Sequence, residues 1–303
     1  MGGLAAGPPS GPDARDAPAK PGRPSRYSRV GLTVLMLFAA WPVVAGAEST
    51  LETVKKRGKL VAGVRTTNPP YGYIDEKGQN AGFDVDIVRA LAQKLGVGLE
   101  LKEVTAQTRI PVLLNGGIDL AAAAVNHYIE RDQVVDFTIP YLMVDVDGLF
   151  VVKKGGPLRG VKGFEDLGGK TLAIAQGAGA GQRFVKLQPT GKVLEFQDWP
   201  AAVQALRQGK ADFITTDSPV LYFFVHKFPS ELELVGRGAP LKPIGIIVRE
   251  NDSKWRDWLN VALIEMWEDC SYQQIYRHTF GRNPDPRFEM PDWRVVSQRK
   301  KCD

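Results

Sequence analysis

The chain has 303 residues, of which 44% are hydrophobic and 24% charged. That is ordinary globular composition and enough length for two domains. Of its 39 Lys and Arg and 34 Asp and Glu, residues 1–47 hold five and two, so the remainder carries 34 against 32, a net charge of +2. This near-balance excludes a charge-driven nucleic-acid binder.

Residues 1–27 are rich in Gly, Pro and Ala and have no hydrophobic pattern to fold on. Gly31 to Ala47 is apolar, follows Arg26 and Arg29, and ends Ala45-Gly46-Ala47. A basic segment, an apolar segment and a small-residue end are the parts of a secretory signal peptide, cleaved near Ala47. The apolar run is short and Pro-broken for a membrane span, which needs about 20 apolar residues, although an uncleaved anchor is the alternative. No cysteine follows the run, so lipid anchoring there is excluded. The expected location is periplasmic.

After this segment, helices and strands alternate. Thr50 to Arg57 reads as a helix and Lys59 to Val64 as a strand. A helix runs from Phe83 to Leu95, with Phe83, Ile87, Leu91 and Leu95 on one face and Gly96 as its stop. Leu99 to Val104 is a strand, and Arg109 to Asn115 a short helix with Pro111 near its start. Ile118 to Val125 is a buried strand, followed by a polar crest at Asn126 and His127, a short helical turn carrying Arg131, and an exit through Asp136 to Tyr141. Further strands are expected over Gly148 to Lys153, Thr171 to Ala175, Lys192 to Phe196, Ala211 to Thr215 and Ile244 to Arg249. Further helices are expected over Gln182 to Leu187, Trp199 to Gln208, Val220 to Lys227, Trp255 to Asp269 and Tyr272 to Phe280.

This alternation is α/β. The block Leu172 to Val235 repeats the strand–loop–helix order of Leu60 to Val144, so we expect two similar lobes. The chain leaves the first near Val144–Leu149 and returns near Pro240–Ile246. Two crossings make a two-stranded hinge, and such lobes close on a ligand. The expected parts are 48–145 for the first lobe, 146–242 for the second, 243–283 returning to the first, and 284–303 as a tail.

In open α/β sheets, ligands sit beyond the carboxyl ends of the strands. Arg131 belongs there. A guanidinium in such a crevice binds a carboxylate or phosphate bidentately. The alternative is a surface Arg paired with Glu130 or Asp132. Gln176 to Gly181 is a glycine-rich loop before a helix, whose backbone N–H groups at Gly177, Ala178 and Gly179 can take an anion. It lacks the Gly-Lys-Ser/Thr ending of a phosphate loop. No nucleophile–base pair is visible, no cofactor motif appears, and the cysteines and His127, His226 and His278 show no metal-ligand spacing. Cys270 and Cys302 are the two cysteines. In an oxidising compartment such a pair is expected to be bridged, the alternative being two thiols.

Leu60-Val61-Ala62-Gly63-Val64, Pro69-Pro70-Tyr71, Gly82-Phe83-Asp84-Val85-Asp86, Gly117-Ile118-Asp119, Glu130-Arg131, Val135-Asp136-Phe137, Pro140-Tyr141, Asp166-Leu167-Gly168-Gly169-Lys170 and Ala211-Asp212 leading to Asp217 stand in this order. As an ordered set they resemble the amino-acid-type periplasmic solute-binding proteins of ABC importers, family 3. The resemblance implies a type II two-lobed binding fold, a monomer, an amino-acid ligand and delivery to an inner-membrane ABC permease. Arg65, Gln107-Thr108-Arg109-Ile110-Pro111 and the crest from Asn126 to Arg131 are similar to the glutamate/aspartate-binding branch. That likeness implies Arg131 on the α-carboxylate, Asp217 on the ammonium, and Arg65 or Arg109 on a second carboxylate. Tyr71 would stack on the ligand or fill the lobe core. Arg65 has the alternative of pairing with Asp75 or Glu76, Arg109 of a structural salt bridge, and Asp217 of capping the following helix. Trp199 and His127 are weaker candidates. The family usually has a hydroxyl residue after glycine in the second-lobe loop, and Gln176 to Gly181 has none. The reading is a non-enzymatic transport protein for a polar, acidic amino acid. The alternative is a cyclohexadienyl dehydratase-like enzyme on the same fold, for which no isolated acid stands out.

Overall fold

Short apolar runs ended by glycine or by polar crests give this chain strands that point their carboxyl ends toward one place. The computed structural model describes residues 48–282 and Pro284. The expected signal peptide, most of the tail and Cys302 lie outside the described residues, and so does the expected Cys270–Cys302 bridge.

The strands are β1 (Lys59–Val64), β2 (Thr67–Asn68), β3 (Gly72–Ile74), β4 (Asn80–Ala81), β5 (Gly98–Glu103), β6 (Leu120–Asn126), β7 (Asp136–Phe137), β8 (Leu142–Asp145), β9 (Leu149–Lys153), β10 (Thr171–Ala175), β11 (Lys192–Phe196), β12 (Phe213–Ile214), β13 (Leu232–Gly236) and β14 (Leu241–Val248). The helices are α1 (Thr50–Arg57), α2 (Phe83–Leu95), α3 (Arg109–Leu114), α4 (Ile129–Asp132), α5 (Ala180–Leu187), α6 (Trp199–Arg207), α7 (Ser218–Lys227), α8 (Ser253–Glu268) and α9 (Ser271–Phe280).

Two sheets divide these elements into two α/β lobes. The first has the order β5-β1-β6-β14-β7, with β8 also on β14. The second has the order β11-β10-β12-β9-β13. In the first sheet β1 lies between β5 and β6, and in the second β10 lies between β11 and β12, all four pairs being parallel. Crossover helices cover the faces, which is why β6 is buried along nearly its whole length. Two antiparallel strands join the lobes: Leu241 pairs with Asp145 and Ile244 with Leu142. Asp145 ties both crossings, accepting from Gly148 N at 3.2 Å and from Ala239 N at 2.6 Å. This is the type II two-lobed architecture expected from the sequence.

The cores are aliphatic and aromatic. Phe83 stacks on Tyr141, and Phe150, Phe184 and Phe213 pack edge to face in the second lobe. Trp255 is fully buried and donates its indole N–H to Asp119 O at 3.0 Å. Several boundaries differ from expectation. The edge strand β13 follows Pro229-Ser230 and mixes Glu233 among apolar residues, so it carries no clear period. Helix α5 starts at Ala180, two residues before its expected start. Ala180 is buried, and a Cβ on Gly181 would lie 2.7 Å from Ile174 Cδ1, so packing against β10 favours these small residues over a longer loop.

Candidate functional site

The carboxyl ends of β1, β6, β10 and β12 meet across the hinge. The residues just beyond them line one cleft: Arg65 after β1, Asn126 at the end of β6, Gly177 to Gly179 after β10, and Thr216 and Asp217 after β12. Arg109, Tyr128, Arg131, Arg183 and Trp199 complete its polar and aromatic walls.

The crest after β6 is held in an unusual shape. Ala124 has φ 50, the left-handed region that costs a non-glycine residue energy. Its peptide is fixed from both sides. Asp84 accepts Ala124 N at 2.8 Å, and Arg109 Nη1 donates to Ala123 O at 2.6 Å and Ala124 O at 3.1 Å. Asp84 also accepts the Tyr141 hydroxyl at 2.6 Å. Burial pushes the Asp84 carboxyl up to about 6, opposed by these hydrogen bonds and by Arg65 and Arg109. Burial, with Arg131 and Arg65 nearby, holds the Arg109 guanidinium well below its usual range. Arg109 therefore lines the cleft and also shapes the crest. Its expected alternative, a salt bridge, is not formed; carbonyl oxygens take its place.

Arg131 stands on α4 at the cleft. One Nη1 bond goes to Asn126 O at 2.9 Å, and its guanidinium carbon lies 5.0 Å from the Tyr128 ring centre. It does not pair with Glu130 or Asp132. Asp132 instead meets His127 Nε2 at 2.7 Å, and the His127 ring stacks on Phe137 at 4.0 Å. His127 is thus a support for the crest rather than part of the cleft wall.

Arg65 is 7% exposed, and its Nε has no hydrogen-bond partner. Asp75, an expected partner, caps its own turn through Lys77 N and Gln79 N. Burial lowers the Arg65 pKa to about 10, while Asp217 and Asp84 pull it back up. Asp217 starts α7 but makes no side-chain cap. Its Oδ1 accepts Asn126 Nδ2 at 3.3 Å from the other lobe. Burial pushes its carboxyl up to about 6, against the Asn126 bond and the nearby Arg109 and Arg65. Tyr71 is fully buried, does not line the cleft, and leaves its hydroxyl without a partner. It is a core residue, and the expectation that it stacks on a ligand is corrected to the core-filling alternative.

Gly177, Ala178 and Gly179 lead into α5, whose first-turn N–H groups lack intrahelical acceptors and open on the cleft. Ala178 N is already bonded to Ala175 O at 3.1 Å. Gly177 has φ 75, and a Cβ there would lie 2.9 Å from Gln107 Cγ and 3.0 Å from Gln107 N in the other lobe. Only glycine allows this approach. Gly177→Ala is therefore expected to lower the melting temperature by several degrees, through the left-handed backbone, and to weaken ligand binding about tenfold by holding the lobes apart; thermal unfolding and calorimetric titration of parent and variant read both.

Tyr128, Arg183, Asp147 and Asn68 were not visible as site residues in the sequence. Tyr128 sat beside the crest, which was a usable signal. Arg183 lay one helical turn past the glycine loop, and Asp147 in the hinge crossing. Among the described residues no group of three or more His, Cys, Asp and Glu could hold a metal ion, and no helix is long and apolar enough to cross a membrane.

Arg65, Arg109 and Arg131 face Asp84 and Asp217, while Arg183 and Asp147 pair with each other. Asp198 also acts on Arg65 and Glu130 on Arg131, so the cleft gathers both signs of charge, and among the described residues the buried Arg65 Nε is left without a hydrogen-bond partner.

The family model described as bacterial extracellular solute-binding proteins, family 3, matches residues 60–282. The glutamine-binding protein GlnH of a Bacillus subtilis ABC transporter is 33% identical over 242 residues, covering 78% of this chain and 86% of that protein. The glutamate/aspartate import solute-binding protein of Salmonella typhimurium is 26% identical, over 81% of this chain and 86% of its own. An ancestral arginine-binding protein bound to glutamine superimposes with a TM-score of 0.70 at 36% identity, covering 75% of this chain and 99% of that one. The resemblance to the wider family stands. Its narrowing to the acidic branch does not follow from these matches, because the glutamine-binding relative is more similar than the glutamate/aspartate one.

Proposed function

The chain belongs to the bacterial extracellular solute-binding proteins of family 3, and from that premise we propose that its cleft captures an acidic L-amino acid, glutamate or aspartate, for an ABC permease. The observation that carries this reading is the Arg65 guanidinium, buried in the cleft with no hydrogen-bond partner on its Nε. The ligand α-carboxylate lies on Arg131 and the first-turn N–H groups of α5. The ammonium lies on Asp217. The side chain then reaches toward Arg65 and gives its unpartnered Nε an acceptor.

The family supports a binding role without chemistry, and the matched relatives are named binding proteins. A cationic ligand is disfavoured, since it would bring a second positive charge to Arg65 in a dry site. Glutamine is the serious competitor because of the relatives' names. Its amide oxygen could accept from Arg65, but a neutral acceptor makes a weaker bond to a guanidinium than a carboxylate does. The missing hydroxyl in the Gln176 to Gly181 loop leaves carboxylate binding there to backbone N–H groups alone. We further propose export through the N-terminal segment with cleavage near Ala47, and action as a monomer in the periplasm.

Calorimetric titration of the refolded, ligand-stripped chain from residue 48 with L-glutamate, L-aspartate, L-glutamine and L-arginine tests the assignment. N-terminal mass analysis of the exported protein tests the cleavage, and light scattering the monomer. Tight binding of the acidic pair is expected. Arg65→Gln is expected to weaken glutamate about 10- to 100-fold, the scale of a lost charge-assisted hydrogen bond, while changing glutamine little. Binding of glutamine with no response to glutamate or aspartate would remove the acidic assignment and keep the transport role.

A further inference from the structure

Two guanidinium groups from different lobes approach the aromatic ring of Tyr128. Arg131, carried by α4 in the same lobe, is 5.0 Å from the ring centre. Arg183, carried by α5 across the cleft, is 5.6 Å from it. Arg183 is itself held by an ion pair through its Nε to Asp147. Asp147 sits in the hinge crossing with φ 66, next to Val146, which bridges to Asp217. Gly179 makes room for this arrangement, since a Cβ there would lie 2.6 Å from Arg183 Nη1. The contact therefore joins the hinge, the second-lobe loop and the carboxylate-binding Arg131 in one chain of touching groups.

A cation over an aromatic face is attracted to the ring, and more strongly where water is excluded. Tyr128 is partly buried and lines the cleft. Tyr128 and Arg131 belong to one lobe and Arg183 to the other, so a separation of the lobes would draw Arg183 from the ring and leave Arg131 beside it, and whatever strengthens the contact would favour closure.

We propose that Tyr128 is a positioning residue for ligand retention: its ring, clasped by Arg183 on closure, holds the lobes shut and keeps Arg131 aimed at the ligand carboxylate. Asp147 serves the clasp by fixing Arg183 to the hinge. This rests on the reading of the cleft as an amino-acid site but not on which amino acid fills it.

The test uses stopped-flow fluorescence, with Trp199 in the cleft wall as reporter, on the parent and on Tyr128→Leu, Tyr128→Phe and Arg183→Gln. The ligand is whichever of L-glutamate, L-aspartate and L-glutamine the parent binds. Tyr128→Leu is expected to raise the dissociation rate about tenfold and to leave the association rate within about twofold, since the contact forms after encounter. Arg183→Gln should follow it in direction. Tyr128→Phe keeps the ring and should restore the parental rate. A parental dissociation rate in Tyr128→Leu, or a Tyr128→Phe variant as fast as Tyr128→Leu, overturns the clasp. If the parent binds none of the three, the amino-acid reading fails first. The clasp is then read from small-angle scattering of the unliganded proteins. A larger radius of gyration in Tyr128→Leu than in Tyr128→Phe supports it, and equal radii overturn it.

Discussion

Replacing Arg131 with alanine is expected to weaken ligand binding about 100- to 1,000-fold while the unliganded protein melts close to the parent. The first half follows from what the side chain leaves behind. A ligand carboxylate enclosed in the cleft would lose its bidentate partner, and removing one member of a buried ion pair costs about 3–5 kcal/mol. At about 1.4 kcal/mol per tenfold, that is two to three orders of magnitude in affinity. The second half follows from the neighbours. Arg131 makes one bond of its own, to Asn126 O, and it repels Arg109. Its removal gives up that hydrogen bond and the contact with the Tyr128 ring but relieves the repulsion with Arg109. Arg131→Lys should recover only part of the affinity, because an ammonium is a point charge and cannot match both carboxylate oxygens. Calorimetric titration gives the affinity and thermal unfolding the stability. An alanine variant that binds within fivefold of the parent would mean that Arg131 does not hold the ligand.

The lobes and their strand order were legible because they rest on period and on punctuation. Apolar runs such as Leu120 to Val125 fit buried central strands, and Gly58 and Gly96 end α1 and α2 ahead of β1 and β5, both in the left-handed conformation the stop requires. The cleft was partly legible for the same reason. The strand-end rule places Arg131 at the crevice, the family resemblance adds Arg65, Asn126 and Asp217, and all four line the cleft. Tyr71 could not be resolved, since a buried aromatic and a stacking aromatic look alike in sequence. Arg109 was read as a ligand or a salt bridge. Its partners turned out to be carbonyl oxygens of the strained Ala123-Ala124 turn, which no side-chain pattern announces. The Arg183–Asp147 pair was invisible because both fall within one lobe but 36 positions apart, with no local spacing that links them. Edge strand β13 was missed because an edge strand needs little burial and therefore carries little pattern.

The unliganded protein is also expected to become more stable as pH falls from 7.5 to 5.0, while its ligand affinity falls. Asp84 and Asp217 are both fully buried, and burial raises each to about 6 from the model-compound 3.8. A raised carboxyl pKa means that the folded state binds the proton more tightly than the unfolded chain. Between about 6 and 3.8 the folded state therefore holds more protons, and stability rises as pH drops through that window. Each carboxyl contributes up to about 1.4 kcal/mol per pH unit below 6, so the pair is worth roughly 3 kcal/mol at pH 5. For a chain of this size that is a rise in melting temperature of about 5–10 °C. Asp252 and Asp269 are shifted the other way, so their stabilisation is lost only below the window. Affinity carries the opposite sign if Asp217 takes the ligand ammonium as proposed, since it must be ionised to do so. Binding should weaken about tenfold for each pH unit below 6. Asp217→Asn separates the two effects: the affinity slope disappears, and the share of the stability slope due to Asp84 remains. Thermal unfolding and titration across pH 5.0 to 7.5 read both. A melting temperature that falls toward pH 5 would show that these carboxylates are charged and satisfied in the folded protein, and with Asp217 already paired the ammonium would have to bind elsewhere.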